Sequence, residues 1–98
     1  MGACTFTTIA KGETMHEAFA SARAVAQFEN GFGGYTGSIA EKTDAVLVTP
    51  DTLDEETAQL VAYKMIDDGD PRVNDKWGPA GAIPLTGSQY LFFGWASE

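Results

Sequence analysis

The residues of this chain that could carry chemistry are a lone histidine, a lone cysteine and a group of acids. His16 and Cys4 are the only members of their types. Neither lies in a motif that would make it a general base or an activated thiolate. The run DDGDPRVND, residues 67–75, holds four aspartates, but its spacing differs from the calcium-loop pattern and no glutamate follows at the twelfth position. We therefore expect solvated turn carboxylates, no metal, no cofactor and no catalytic residues.

The stretch NGFGGYTGSIAEK, residues 30–42, is a second candidate, because glycine-rich loops can cradle phosphates. Here the glycines follow a predicted helix, whereas a phosphate-binding turn follows a strand and opens a helix. We interpret the stretch as a helix end and a tight corner. Tyr35 within it could offer its hydroxyl to a partner.

The segment KWGPAG places Trp77 beside Lys76 in a stretch rich in proline and glycine. Burying a tryptophan is worth several kcal/mol at about 25 cal/mol per Å², so Trp77 should either pin its loop to the domain or anchor a partner. Tryptophan is also among the residue types most enriched at interface hot spots. We favour the partner role for Trp77, assisted by Lys76, and keep pinning as the alternative.

The charge of the chain narrows the choice of partner. Fourteen acidic against six basic residues give a net charge of -8. This charge argues against direct binding to nucleic acid or to an anionic membrane, and it permits a basic protein surface as partner. Solubility alone is the simpler explanation and stays open. The acidic residues that we expect to contact a partner lie between positions 51 and 75: Glu55, Glu56, Asp67, Asp68 and Asp70.

Periodicity predicts the elements that position these residues. Residues 4–11, CTFTTIAK, alternate as a strand does. Thr14 and Glu17 form a capping-box signature for a helix that runs to Asn30. Its apolar stripe is Met15, Ala18, Phe19, Ala22, Val25 and Ala26.

The second half of the chain is predicted in the same way. Residues 36–42 and 44–50 should be two strands of a hairpin. Thr52 and Glu55 repeat the capping box for a second helix, which Gly69 ends. We expect residues 70–88 to form a long loop, followed by a strand that is apolar on both faces, QYLFFGWA.

This order predicts an α+β fold: a ferredoxin-like β-α-β-β-α-β two-layer sandwich in one domain, residues 1–98. Its antiparallel sheet would carry both helices on one face, with strands one and three in the centre. The other face would be bare or covered by the 70–88 loop, and a different strand order remains open. Its exposed residues would be drawn from Thr5, Thr7, Ile9, Tyr90, Phe92 and Phe93.

Length and composition set the remaining limits. The chain has 98 residues and suits one domain. A single cysteine excludes an internal disulfide and fits a reducing compartment. No apolar run approaches the about 20 residues of a membrane span, and the N-terminus lacks the pattern of a signal peptide. We therefore expect a cytoplasmic protein.

Three stretches, GGYTGSIAEK, KWGPAG and YLFFGWASE, resemble short acidic proteins encoded by bacteriophages and related mobile elements. The resemblance runs through most of the chain and brings no catalytic motif. It implies an accessory protein that acts in the cytoplasm of an infected bacterium. Small acidic phage proteins often inhibit host defence, including CRISPR effectors, by blocking nucleic-acid-binding surfaces.

Two classes of function follow. The first is an inhibitor that occupies the basic surface of a host protein. The alternative is a small-ligand binder, such as a nucleotide-sequestering protein, which would use the glycine-rich corner or a pocket under the 70–88 loop. It would need cations for phosphates, and the candidates are Lys42, Lys64, Arg72 and Lys76. Assembly into a homo-oligomer is compatible with either.

Overall fold

The fold combines two helices with one sheet in a computed structural model that describes residues 2–30 and 37–97. The chain begins with strand β1 (Ala3–Lys11) and helix α1 (Met15–Asn30). A short 3₁₀ turn (Ile39–Glu41) and strand β2 (Ala45–Leu47) follow. Helix α2 (Glu55–Asp68), strand β3 (Ala80–Leu85) and strand β4 (Gln89–Ser97) complete the order. The predicted α+β class is confirmed.

The strands of the described residues form a mixed four-stranded sheet in the order β1-β4-β3-β2. β4 is antiparallel to β1 and to β3, whereas β2 is parallel to β3. Helix α2 therefore connects two parallel neighbours as a β-α-β crossover. β3 and β4 form a hairpin whose last pair is Leu85 and Gln89.

This arrangement differs from the predicted ferredoxin-like strand order. The two strands predicted as central, β1 and the strand at 44–50, are the two edges of the sheet. The predicted hairpin of 36–42 with 44–50 was wrong, because residues 39–41 form the 3₁₀ turn instead. Ser38 caps this turn by accepting a hydrogen bond from Ala40 N at 3.2 Å. Such local side-chain bonds compete with strand pairing.

The segment 70–88 was predicted as loop, yet it contains β3. Its sequence AGAIPL has few strand-forming residues, yet the strand is buried on both faces. At Gly81 an added Cβ would lie 2.5 Å from Phe93 Cζ, so glycine permits this close packing. The carbonyl of Pro84 accepts from Leu53 N at 2.9 Å. The N–H and carbonyl of a strand residue point to the same side, so the N–H that Pro84 lacks would have faced the side of β2. No bond to β2 is lost there, because β2 ends earlier, at Leu47.

The two helices lie on opposite faces of the sheet, which corrects the expectation that both would share one face. Alternate residues of β4 separate the two cores, since Phe92 packs with α1 and Phe93 with α2. Both phenylalanines are fully buried, so neither can lie on a bare face as predicted. The core on the α1 side also contains Phe6, Phe19 and several alanines. Thr5, Thr7 and Ile9, on the other face of β1, are exposed.

Helix boundaries follow the predicted signals in part. Thr14 Oγ1 accepts from Glu17 N at 3.1 Å, and Glu17 reaches back to Glu13 N, so the first cap is confirmed. The cap of α2 is Asp54, whose carboxylate accepts from Thr57 N at 2.7 Å, and the prediction of Thr52 was wrong by two residues. Aspartate competes well for this position.

The other helix predictions concern the end of α2, the apolar stripe of α1 and membrane crossing. Gly69, at φ 67°, ends α2 as predicted. Val25, predicted in the apolar stripe of α1, is 56% exposed. No helix in the described part of the chain has the length and apolar character that crossing a membrane requires.

Candidate functional site

A tight turn at residues 75–78 precedes β3 and carries the tryptophan singled out from the sequence. Gly78 N donates to the Asp75 carbonyl at 2.9 Å. The Asp75 carboxylate accepts from Trp77 N at 2.9 Å. Aspartate commonly closes turns in this way, by bonding the backbone two residues on. Asp75, the first residue of the turn, therefore stabilises the turn through both its carbonyl and its carboxylate.

Lys42 lies beneath this turn and holds it from inside. Its side chain is 1% exposed. Its Nζ donates to the carbonyls of Asp75, Lys76 and Gly78 at 3.2, 3.1 and 3.0 Å, which uses all three donors of the ammonium group. Burial lowers the pKa of Lys42, and the nearby Asp75 carboxylate opposes this by raising it. Lys42 therefore stabilises the backbone of the turn from the protein interior.

Trp77 projects from this turn with 63% of its surface exposed. The Nζ of Lys76 lies 5.3 Å from the centroid of the indole ring, a cation–π distance. The same Nζ donates to the Gly2 carbonyl at 3.4 Å and so links the turn to the start of β1. The exposed fraction means that Trp77 contributes little burial to the domain, whereas the backbone that carries it is firmly held.

The acidic candidates are divided between the two ends of α2. Glu55 and Glu56 lie in its first turn, where carboxylates interact favourably with the helix dipole. Asp67 and Asp68 lie at its end, and Asp70 follows directly. A helix of 14 residues is about 20 Å long. Only the second group shares an end of the sheet with Trp77, because residues 69–79 connect α2 to the start of β3.

Two of these aspartates form ion pairs with basic side chains. Lys64 Nζ lies 3.1 Å from Asp68, and both side chains are largely exposed. Arg72 lies 3.0 Å from Asp70. Hydrogen bonds from Arg72 lower the pKa of Asp70, and the same bonds raise the pKa of Arg72. Ion pairs that water reaches are screened and contribute little to stability, so these two order side chains more than they stabilise the fold.

An open cleft of about 280 Å³ lies near the other end of the sheet. It is formed by the β3–β4 turn, the residues before α1 and Thr52, and its lining includes Glu13 and Tyr90 but no lysine or arginine. The cations considered for phosphate binding lie elsewhere. Lys42 is enclosed by carbonyls, and Lys64 and Arg72 are paired with aspartates. The described residues therefore bring no cation to this cleft.

The other residues singled out from the sequence do not form a common site within the described part of the chain. His16 is exposed in the first turn of α1. Cys4 is half-buried in β1 and donates its Sγ–H to the Gly37 carbonyl at 3.3 Å. Tyr35 and the glycine-rich residues 31–36 lie outside the described residues. Across residues 2–30 and 37–97, no group of three metal-ligating side chains converges.

Lys42 is the residue that sequence reasoning missed, since it was considered only as a phosphate ligand or as part of a hairpin turn. Its three acceptors lie 33 to 36 positions away in the chain. No periodicity or motif records a contact of that range. The sequence neighbours of Lys42 are the polar residues Glu41, Thr43 and Asp44, so the local sequence carries no signal of its burial.

Comparison of the chain with protein-family models, with curated proteins and with solved structures gave no match.

Proposed function

We propose that this chain is a small acidic accessory protein of phage type that binds a host protein and inhibits it in the bacterial cytoplasm. The partner would present a basic surface, such as that of a nucleic-acid-binding defence effector. The observation that carries the proposal is Trp77, exposed on a turn that Lys42 holds through three carbonyls. A phage origin, an inhibitory role and a cytoplasmic site of action are parts of the same proposal.

A rigid turn suits an anchor residue for physical reasons. Association costs about 0.5–1.5 kcal/mol for each rotamer-rich side chain that must be ordered, and the ordering of a loop adds to this cost. Because the backbone on either side of Trp77 is already fixed by Lys42 and Asp75, little of this cost remains. Tryptophan supplies large contact area, and hot-spot tryptophans typically contribute about 2 kcal/mol or more. Lys76 beside the ring would add specificity.

The nearby acids would attract a basic partner. Complementary charge chiefly raises association rate and specificity. Asp67 and Asp68 lie at the same end of the molecule as Trp77, whereas Glu55 and Glu56 lie about 20 Å away at the other end of α2. The Debye length at physiological salt is about 8 Å. We therefore expect the aspartates to act within the interface and the glutamates to act only as distant charges.

Binding to a basic bacterial protein tests this proposal. The immobilised chain captures its partner from bacterial lysate, and the purified partner is then titrated with each variant. Trp77→Ala should weaken binding by at least about 2 kcal/mol. Its loss of stability should stay near about 2 kcal/mol, because Trp77 is 63% exposed and the roughly 90 Å² that are buried are worth about 25 cal/mol per Å². A core tryptophan would instead cost about 3–5 kcal/mol.

The charge contribution has a matched control in the chain itself. Asp67→Asn with Asp68→Asn should slow association and flatten its salt dependence more than Glu55→Gln with Glu56→Gln, although each pair removes two charges from α2. The chain should also reduce nucleic-acid binding by the captured protein, and Trp77→Ala should abolish that effect. Equal effects of the two pairs, or binding that survives Trp77→Ala unchanged, would contradict the proposal.

The cleft at the β3–β4 turn does not favour the small-ligand alternative in its nucleotide-sequestering form, and the glycine-rich corner lies outside the described residues. A nucleotide site needs cations or backbone donors around the phosphates, and the cleft at the β3–β4 turn is lined by Glu13 without any basic residue.

A further inference from the structure

One end of the sheet holds the starts of both helices and the cleft described above. β1 and β3 are each antiparallel to β4, and β2 is parallel to β3, so β1, β2 and β3 run in the same direction. Their carboxyl ends therefore meet at one end of the sheet. From there α1 and α2 pack on opposite faces. Open sheets with this connectivity commonly bind ligands in the crevice beyond the carboxyl ends of the strands.

The cleft at this end is lined mostly by side chains that form hydrogen bonds. Six of its ten lining residues are polar: Glu13, Thr52, Thr86, Ser88, Gln89 and Tyr90. Within residues 2–30 and 37–97, the polar side-chain groups of these six make no hydrogen bond to another residue. Their hydrogen-bonding capacity is therefore available to a molecule that enters the cleft.

The charge of the lining decides which ligands suit it. Glu13 is the one charged residue among the ten that line the cleft. Helix N-termini favour anions, but carboxylates of the protein already occupy these positions, Glu17 at α1 and Asp54 at α2. The N–H of Gly12, in the lining, is also used, since it donates to the Ser88 carbonyl at 3.0 Å. A cation in the cleft would meet the Glu13 carboxylate, whereas an anion would be repelled by it.

We propose that this cleft binds a small organic cation, an ammonium or guanidinium group, through Glu13 and the hydroxyl and amide groups around it. Both groups are donors without acceptors, and the lining supplies carboxylate, hydroxyl and amide oxygens as acceptors. Hydrogen bonds from a cation to a carboxylate are roughly twice as strong as neutral ones. Tyr90 adds an aromatic ring, stacked on Phe92, and aromatic rings attract cations. The net charge of -8 draws cations towards the protein.

The size of the cleft limits the ligand. Pockets for drug-sized molecules measure about 300–1,000 Å³, so a cleft of about 280 Å³ suits a small diamine or one lysine or arginine side chain of another protein. The two sources share the same cationic chemistry. Trp77 precedes β3 and the cleft follows it, and the six residues of β3 span about 20 Å. Binding at the cleft therefore does not depend on the partner proposed for Trp77.

NMR titration of the intact ¹⁵N-labelled chain tests the proposal with two cations and a neutral analogue. The probes are putrescine, N-acetylarginine amide and 1,4-butanediol, which replaces the two ammonium groups of putrescine with hydroxyls. At least one cation should shift the amide signals of Gly12 and residues 86–89, with a dissociation constant on the order of 10⁻³ M. 1,4-Butanediol should bind about tenfold more weakly or less. Shifts from putrescine alone support a free amine as the ligand, and shifts from N-acetylarginine amide alone support a protein side chain.

A pair of variants separates the cleft from the general negative charge of the chain. Glu13→Gln should weaken binding of the cation by about tenfold or more, because it removes the charge on the acceptor. The bond from the backbone N–H of residue 13 to Glu17 remains possible in this variant, and circular dichroism confirms that it is folded. Glu29→Gln is the matched control, since it removes an exposed carboxylate at the other end of α1. It should change binding by less than about twofold.

Several results would overturn the proposal. One is the absence of shifts at the cleft with either cation, and another is equal binding of putrescine and 1,4-butanediol. The comparison of probes uses the wild-type chain, so it decides the matter even where Glu13→Gln does not fold. Equal effects of Glu13→Gln and Glu29→Gln, or shifts that spread alike to Asp67 and Asp68, would show diffuse attraction of cations instead of a site.

Discussion

Lys42 allows the sharpest test of how the Trp77 turn is held. Substitution by methionine keeps an unbranched apolar side chain of similar length and removes the ammonium group. The perturbation therefore acts on three hydrogen bonds, those to the carbonyls of Asp75, Lys76 and Gly78.

The expected loss of stability depends on which hydrogen-bond donors each carbonyl keeps after the substitution. Asp75 O keeps a second donor, Gly78 N at 2.9 Å, whereas the other two carbonyls lose the lysine. A buried polar group without a partner costs about 1–3 kcal/mol, so two of them cost about 2–6 kcal/mol. Part is returned because the ammonium no longer has to be desolvated, a penalty that the lowered pKa of Lys42 reflects. We expect a net loss of about 2–4 kcal/mol.

Urea denaturation followed by circular dichroism measures this loss, and hydrogen exchange locates it. The amides of Trp77 and Gly78, both bonded within the turn, should lose protection before those of β4. Lys64→Met is the control, because it removes an exposed lysine that pairs with Asp68, and it should cost less than about 0.5 kcal/mol. Lys42→Arg should not restore stability, since a planar guanidinium cannot direct three donors at carbonyls around one point.

Two outcomes would contradict this expectation. In the first, the Lys42→Met variant unfolds at the same urea concentration as the wild type. In the second, the variant loses stability but its turn amides stay as protected as before. In the first case the cost of desolvating Lys42 cancels its hydrogen bonds. In the second, Trp77 is positioned by contacts other than this lysine.

Two further predictions concern packing and pH. Gly81→Ala should destabilise the protein by about 1–3 kcal/mol in denaturant titrations, because its Cβ would lie 2.5 Å from Phe93 Cζ, and unchanged stability would show that the ring yields freely. Hydrogen bonds from Thr57 lower the pKa of Asp54 from 3.8, so the stability that this cap contributes is present above that pH and is lost as the pH falls through the lower folded pKa. Asp54→Asn retains the cap, so this variant should lose less stability at acidic pH than the wild type does. Asp51→Asn, outside the cap, should lose as much stability at acidic pH as the wild type.

Local pattern predicted much of the secondary structure. Alternation in CTFTTIAK and the apolar run QYLFFGWA identified β1 and β4. The Thr14 cap and Gly69 bounded the two helices at the start of α1 and the end of α2. These signals are readable because a helix or strand places its periodicity and its end residues within a few positions of one another.

Prediction failed where burial overrides local preference. β3 has the small residues and proline of a loop, and it is a strand because neighbouring elements cover both of its faces, with Gly81 beneath Phe93. Its propensity is poor, and its place in the sheet comes from packing. The cap of α2 was misplaced for a different reason, since Asp54 and Thr52 both suit the position and only the folded geometry distinguishes them.

The sequence by itself determined the strong negative charge, the identities of four main elements and the presence of an unusual tryptophan. Only the tertiary structure decided the strand order and the separation of the helices to opposite faces. It also decided that Trp77 stands exposed while Lys42, more than thirty residues earlier, is buried beneath it. The physical reason is range: charge and periodicity are sums over neighbouring residues, whereas strand order and the Lys42 contacts join distant segments whose pairing is set by packing of the whole chain.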